Sequence, residues 1–193
     1  PLALPDWEPG RLRTGIAGHL AALGAESAVV GRFAAALERL APLLGARREI
    51  ALTSFGLPKL RRAALLMMEA HLGCADAADL AGLSPQRRAM LAYAAGKSAV
   101  DFARAERALD AALVATRRLF EEVDVLLLPT VPLVPPTLGG EEPPNLCDLT
   151  TLASVAGCPS LSLPLGEGVG LQMVGPPGSD LRLLELGQVM ASL

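Results

Sequence analysis

The sequence predicts an α/β fold, helices layered on a sheet, and three observations carry the prediction. A strand–helix–strand pattern opens the chain. A largely apolar run, Val123 to Leu128, stops at Pro129. Two short apolar stretches, Ser160 to Leu163 and Gly170 to Val174, flank a glycine-rich turn and precede a closing helix. Such alternation of periods points to a layered α/β architecture.

The elements follow in order. Pro1, Pro5 and Pro9 make the first ten residues extended coil. Arg11 to Ala17 reads as a short strand, and Gly18 and Gly24 bracket a turn. From Ala25 to Leu44, apolar residues recur at helical spacing: Val29, Val30, Phe33, Leu37, Leu40 and Leu44. Gly45 is the expected C-terminal cap of that helix. Glu49 to Phe55 reads as a second strand. Pro58 opens a helix to about Leu72, and a short helix is expected near Ala77 to Leu80.

Ser84-Pro85 is a helix start, because serine caps the first turn and proline fits its first position. The helical pattern then runs to Glu122 with a break at Gly96. Val123 to Leu128 fits a strand buried on both faces. Thr130 to Pro144 is a proline- and glycine-rich loop, and long loops in compact domains are often functional. Asp148 to Val155 is a helical turn, and Ser179-Asp180 caps a last helix, Leu181 to Ala191.

Composition narrows the function classes. The 193 residues are 51% hydrophobic and 19% charged, enough apolar material for a core. The mean hydropathy of +0.41 does not imply a membrane span, since no apolar run approaches the roughly 18 residues required. Net charge is −3 and aromatics make up 3%, which argues against a nucleic-acid surface. Cys74, Cys147 and Cys158 are odd in number and lack paired spacing, so neither a disulfide framework nor a zinc site is expected. No basic region followed by an apolar stretch opens the chain, so no secretory leader is expected and the compartment reads as cytoplasmic.

Four motifs now combine. Asp124 to Pro132 (DVLLLPTVP) resembles the Asp-hydrophobic-Leu-Leu-x-Pro-Thr-x-Pro strand and loop of the amidase signature family. Thr150, Ser154, Gly157, Pro159, Ser162, Pro164 and Gly166 follow that family's Thr-x-x-x-Asn-x-x-Gly-x-Pro-x-x-Ser-x-Pro-x-Gly run, with Ser154 where the family has asparagine. Gly170 to Gly175 (GLQMVG), then Asp180 and Leu183-Leu184, resemble its Gly-x-Gln strand and closing helix. Ser84 to Arg107 resembles its long helix. In order and spacing, these motifs make the chain similar to the C-terminal half of an amidase, including the A subunit of glutamyl-tRNA amidotransferase.

The resemblance implies the C-terminal part of the amidase-signature α/β/α sandwich, with a mixed sheet, and residues 1–193 as the C-terminal portion of a single amidase domain. It also implies hydrolysis of a carbon–nitrogen bond in a small-molecule amide, without metal or cofactor. The family nucleophile is a serine activated by a second serine and a lysine in an upstream glycine- and serine-rich stretch, a base-assisted nucleophile beside backbone donors. This sequence has no Gly-Ser-Ser or Gly-Gly-Ser run. Lys59 and Lys97 lie in helical patterns outside the family's lysine context and read as solvated helix residues. No catalytic residue carries over.

Pocket residues do carry over as candidates. In amidotransferase members an arginine early in the long helix and an acid before the Thr-x-x-x-Asn run hold a charged substrate. Arg88 and Asp148 fall near those positions, Asp148 displaced by one residue. A bidentate arginine suits an acidic substrate; the plainer role of either residue is a solvated helix charge. Thr130 and Ser154 are placed in the same cleft, against plainer roles as turn and cap residues. The expected partners are the amide and the missing N-terminal half or a partner subunit, with an oligomer possible. The competing reading is a non-catalytic relic or interaction subunit. His19 and His71 lack a G-x-S-x-G elbow, and Gly166 to Gly170 precedes a strand, so a hairpin turn outweighs a phosphate loop.

Overall fold

A computed structural model describes residues 10–75, 80–140 and 142–192. Five strands form one mixed sheet in the order β2-β1-β3-β5-β4. They are β1 Thr14–Ala17, β2 Arg47–Ile50, β3 Val125–Pro129, β4 Ser160–Gly166 and β5 Val169–Val174. β1 pairs in parallel with both β2 and β3, while β5 runs antiparallel to β3 and to β4. The helices are α1 Ser27–Leu40, α2 Leu57–Leu72, α3 Pro85–Ala95, α4 Ala99–Glu122, α5 Asp148–Ala156 and α6 Asp180–Ala191. The expected α/β class with a mixed sheet is what the chain adopts.

The core forms around β3. All five of its residues are buried, and Leu126 and Leu127 are 0% exposed. Each such side chain contributes roughly 1.5–3 kcal/mol by burial. α6 packs on the hairpin, where Gly187 lies so close to Leu161 that an added Cβ would stand 2.2 Å from it. α2, α4 and α5 pack against one another. Asp124, just before β3, accepts from the backbone N–H of Arg13 at 2.8 Å and from its guanidinium at 2.7 and 3.1 Å. The aspartate that opens the Pro-Thr motif thus clamps the entries of β1 and β3 together.

Some helix starts were legible, although Ser179 accepts no capping bond at the start of α6 and donates its hydroxyl to the Pro176 carbonyl instead. Ser84 Oγ accepts from Arg87 N–H at the start of α3. At α4, Ser98 and Asp101 exchange bonds in a capping box, and the expected break at Gly96 separates the two helices. Other boundaries differ from the sequence expectation. α1 ends at Leu40 rather than Leu44, because Pro42 has no N–H to continue the ladder. Ala41, not Gly45, is its cap. Gly45 instead lets the segment before β1 pass close by: a Cβ there would meet the Gly10 and Leu12 carbonyl oxygens at 2.5 and 2.6 Å. β2 stops at Ile50, and Leu52–Phe55 is a 3-10 turn, held by Ser54 donating to the Ala51 carbonyl and closed by Gly56 at φ +58°. The coil at residues 1–9 and most of the short helix expected near Ala77 lie outside the described residues.

Candidate functional site

The three parallel strands end on the same side, and their following loops meet there. Leu23 and Gly24 follow β1, Thr53 and Gly56 follow β2, and Asn145 and Asp148 follow β3. Together they line a cleft of about 340 Å³. A crevice beyond the carboxyl ends of parallel strands is the usual ligand position in such sheets. Gly24, at φ +78°, brings the chain against the Asn145 amide, 3.2 Å from where a Cβ would lie.

Asp148 forms one wall of this cleft and is 3% exposed. Its Oδ1 accepts from Arg61 Nε at 2.5 Å. The arginine side chain is 15% exposed and the aspartate side chain 4%, so water screens the pair little. Asp148 is also the first residue of α5, where the helix dipole favours a negative charge. Arg61 carried no signal in the sequence, being one of two adjacent arginines in an amphipathic helix.

The second group lies on β3, β4 and β5. Thr130 follows β3, and its N–H donates to the Gly170 carbonyl at 2.8 Å. Thr130 Oγ1 and Ser162 Oγ share a hydrogen bond of 2.5 Å. They meet across β5 because Gly170 has no side chain: a Cβ there would stand 2.5 Å from one oxygen and 2.7 Å from the other. Gln172 is directly opposite Ser162 and 3% exposed, and its Oε1 accepts no hydrogen bond among the described residues. β4 alternates exposed serines with half-buried leucines, so the face bearing Ser160 and Ser162 is open to solvent. Glu26 fixes the loop beyond Thr130, donating its N–H to the Pro132 carbonyl and accepting from Val134 N–H at 3.1 Å.

The four candidates are therefore spread out. Asp148 lines the cleft, bound to Arg61 rather than Arg88. Thr130 joins the hydroxyl pair. Ser154 is exposed on α5 and donates back to the Thr150 carbonyl at 3.3 Å. Arg88 is exposed on α3 and reaches the Ala81 carbonyl at 3.5 Å. The sequence reading missed Arg61, Asn145 and the role of Ser162. Ser162 and Gln172 lay inside the matched motifs, yet nothing in the linear pattern said that they face each other. Among the described residues, no group of three or more His, Cys, Asp or Glu side chains is placed to hold a metal ion.

The sheet order, with the parallel strands ending at an open cleft, defines an α/β protein with a ligand-sized crevice at the strand ends. The amidase family profile matches residues 74–184, more than half of the chain, and the chain belongs to that family. It is 36% identical over 115 residues to the 2-amino-5-chloromuconic acid deaminase of Comamonas testosteroni, which is 53% of this chain and 25% of that protein. It is 38% identical over 99 residues to the A subunit of the glutamyl-tRNA(Gln) amidotransferase from Methanothermobacter thermautotrophicus, 46% of this chain and 22% of that protein. A solved amidase structure matches at a TM-score of 0.81 and 27% identity, over 98% of this chain and 47% of its own. The chain thus spans under half of that amidase, and its aligned stretches about a quarter of the two relatives.

Proposed function

We propose that this chain is the C-terminal portion of a single amidase domain that hydrolyses a carbon–nitrogen bond in a small-molecule amide. It supplies scaffold and part of the substrate pocket, and the serine–serine–lysine machinery comes from residues outside it. The observation that carries this reading is the fold match over nearly all of this chain but only 47% of the solved amidase. The missing Gly-Ser-Ser run points the same way.

The chain's own residues then have definite tasks. Arg61 and Asp148 lock α2 to the start of α5 and set the wall of the cleft. Glu26 and the Thr130–Ser162 bond hold the loop after β3 over the hydroxyl-bearing face. That face, with Gln172 beneath it, presents hydroxyls to a polar amide. Arg88, exposed on α3, is the residue for a carboxylate on the substrate.

The test is complementation. The purified chain is assayed on a panel of simple amides, alone and together with the N-terminal half of an amidase supplied in trans or by fusion. Turnover is expected only in the complemented form, with Arg88→Ala lowering kcat/KM on acidic amides by about 1.5–3 kcal/mol and leaving neutral ones unchanged. Turnover by the chain alone that survives repurification and responds to a mutation in this chain overturns the reading. Stable association without any turnover favours the interaction role instead.

A further inference from the structure

Glu69 lies near the C-terminal end of α2 and is only 7% exposed. No hydrogen bond or ion pair reaches its carboxyl among the described residues, and burial pushes its pKa up. A carboxylate in the last turns of a helix also faces the negative end of the dipole. A buried acid in this state is costly unless a cation meets it.

The charges around it do not meet it. Lys97, between α3 and α4, lines the same cleft, but its Nζ stands 4.1 Å over the centre of the Tyr93 ring. Arg87 of α3 lines the neighbouring groove without reaching the acid. Glu69 lines two adjoining spaces. One, about 280 Å³, is walled by Leu66, Leu91 and Phe102. The other, about 320 Å³, is walled by Met68, Leu72, Met90 and Leu91. Each could hold on the order of ten waters, yet both are mostly hydrocarbon.

We propose that this cleft between α2, α3 and α4 binds a primary ammonium carried on a short hydrocarbon chain, with Glu69 as its counter-ion. Glu69 is the one carboxylate among the described residues that line the two spaces, and it selects a cation and disfavours an anion. Among the described residues one carboxylate is too few ligands for a divalent metal. The apolar groove beside it selects an alkyl tail over a strongly hydrated cation. The ammonium donates to the carboxyl oxygens, and the tail lies against Leu91 and Met90.

The test uses the full chain titrated calorimetrically at neutral pH with n-hexylamine, and with n-hexanol as the uncharged control. Hexylammonium is expected to bind saturably at one site, and more tightly than hexanol. Glu69→Gln is expected to weaken it about tenfold or more, the loss of one charge-assisted contact, while leaving hexanol unchanged. Leu91→Trp keeps the acid and fills the space, and is expected to abolish binding of both. Circular dichroism checks the fold of each variant. Absence of saturable binding, equal affinity for amine and alcohol, or an undiminished affinity in folded Glu69→Gln overturns the proposal. Should that variant misfold, unchanged hexylamine binding by Leu91→Trp does the same.

Discussion

Thr130 and Ser162 share a 2.5 Å hydrogen bond across strand β5, directly over Gly170. The contact joins the residue that follows β3 to β4, a strand that is not β3's neighbour in the sheet, and it exists only because the residue between them lacks a Cβ. Gly170→Ala should therefore separate the hydroxyls and destabilise the chain by about 1–3 kcal/mol, the usual range for overpacking. Ser162→Ala in that background removes one of the clashing oxygens and should recover part of the loss. Urea unfolding of the two variants measures both effects; an unaltered midpoint in Gly170→Ala contradicts the geometry.

The Arg61–Asp148 pair is nearly dry. Replacing Arg61 by methionine strands a carboxylate that is 3% exposed, and should cost about 3 kcal/mol. The double variant Arg61→Met/Asp148→Asn should cost less than the single one, because no buried charge is left alone. A double-mutant cycle by chemical denaturation gives the coupling, and additive costs would show that the two residues do not interact.

The α4 capping box gives a pH dependence with a defined sign. Ser98 bonds hold the Asp101 pKa below its ordinary 3.8, with Arg104 and Lys97 adding to the effect. A lowered native pKa contributes stability above the unfolded value and loses it as pH falls through the native one. Asp101→Asn should flatten the acid limb of the stability profile below about pH 4.5 and leave the neutral plateau less affected. Thermal melts across that range follow it.

Cysteine reactivity should divide the three thiols. Cys74 and Cys147 are exposed, whereas burial pushes Cys158 up to about 11. The thiolate is the reactive form, so Cys158 should label far more slowly than the other two with iodoacetamide at mildly alkaline pH. Mass spectrometry of timed samples identifies the order. Rapid labelling of Cys158 in the native chain would show that its neighbourhood opens readily.

β2 and β4 are the two edges of the sheet. β2 carries Arg47, Arg48 and Glu49, charges that discourage pairing with another chain, while β4 offers serines, leucines and only Pro164 as a guard. The isolated chain should therefore self-associate through β4. Ser160→Lys should shift it toward monomer in size-exclusion chromatography with light scattering. An identical monomer peak for parent and variant would show that β4 is not used.

Much of this molecule was written locally. Ser84-Pro85, Pro58 and the apolar run ending at Pro129 announced their elements, because caps, proline geometry and two-sided burial act within a few residues. Family membership was legible for the same reason, since the motifs are short runs with their own turn chemistry. The boundary errors at Leu40 and Ile50 came from features the periodicity overrode: Pro42 interrupts an apolar pattern that continues past it, and Ser54 and Gly56 fold an apolar run into a turn. The tertiary structure alone decided which residues meet. Arg61 reaches Asp148 across 87 positions and Thr130 reaches Ser162 across 32. The sheet order and helix packing select those contacts from many that the sequence allows equally, because a charge or hydroxyl carries no local mark of its distant partner.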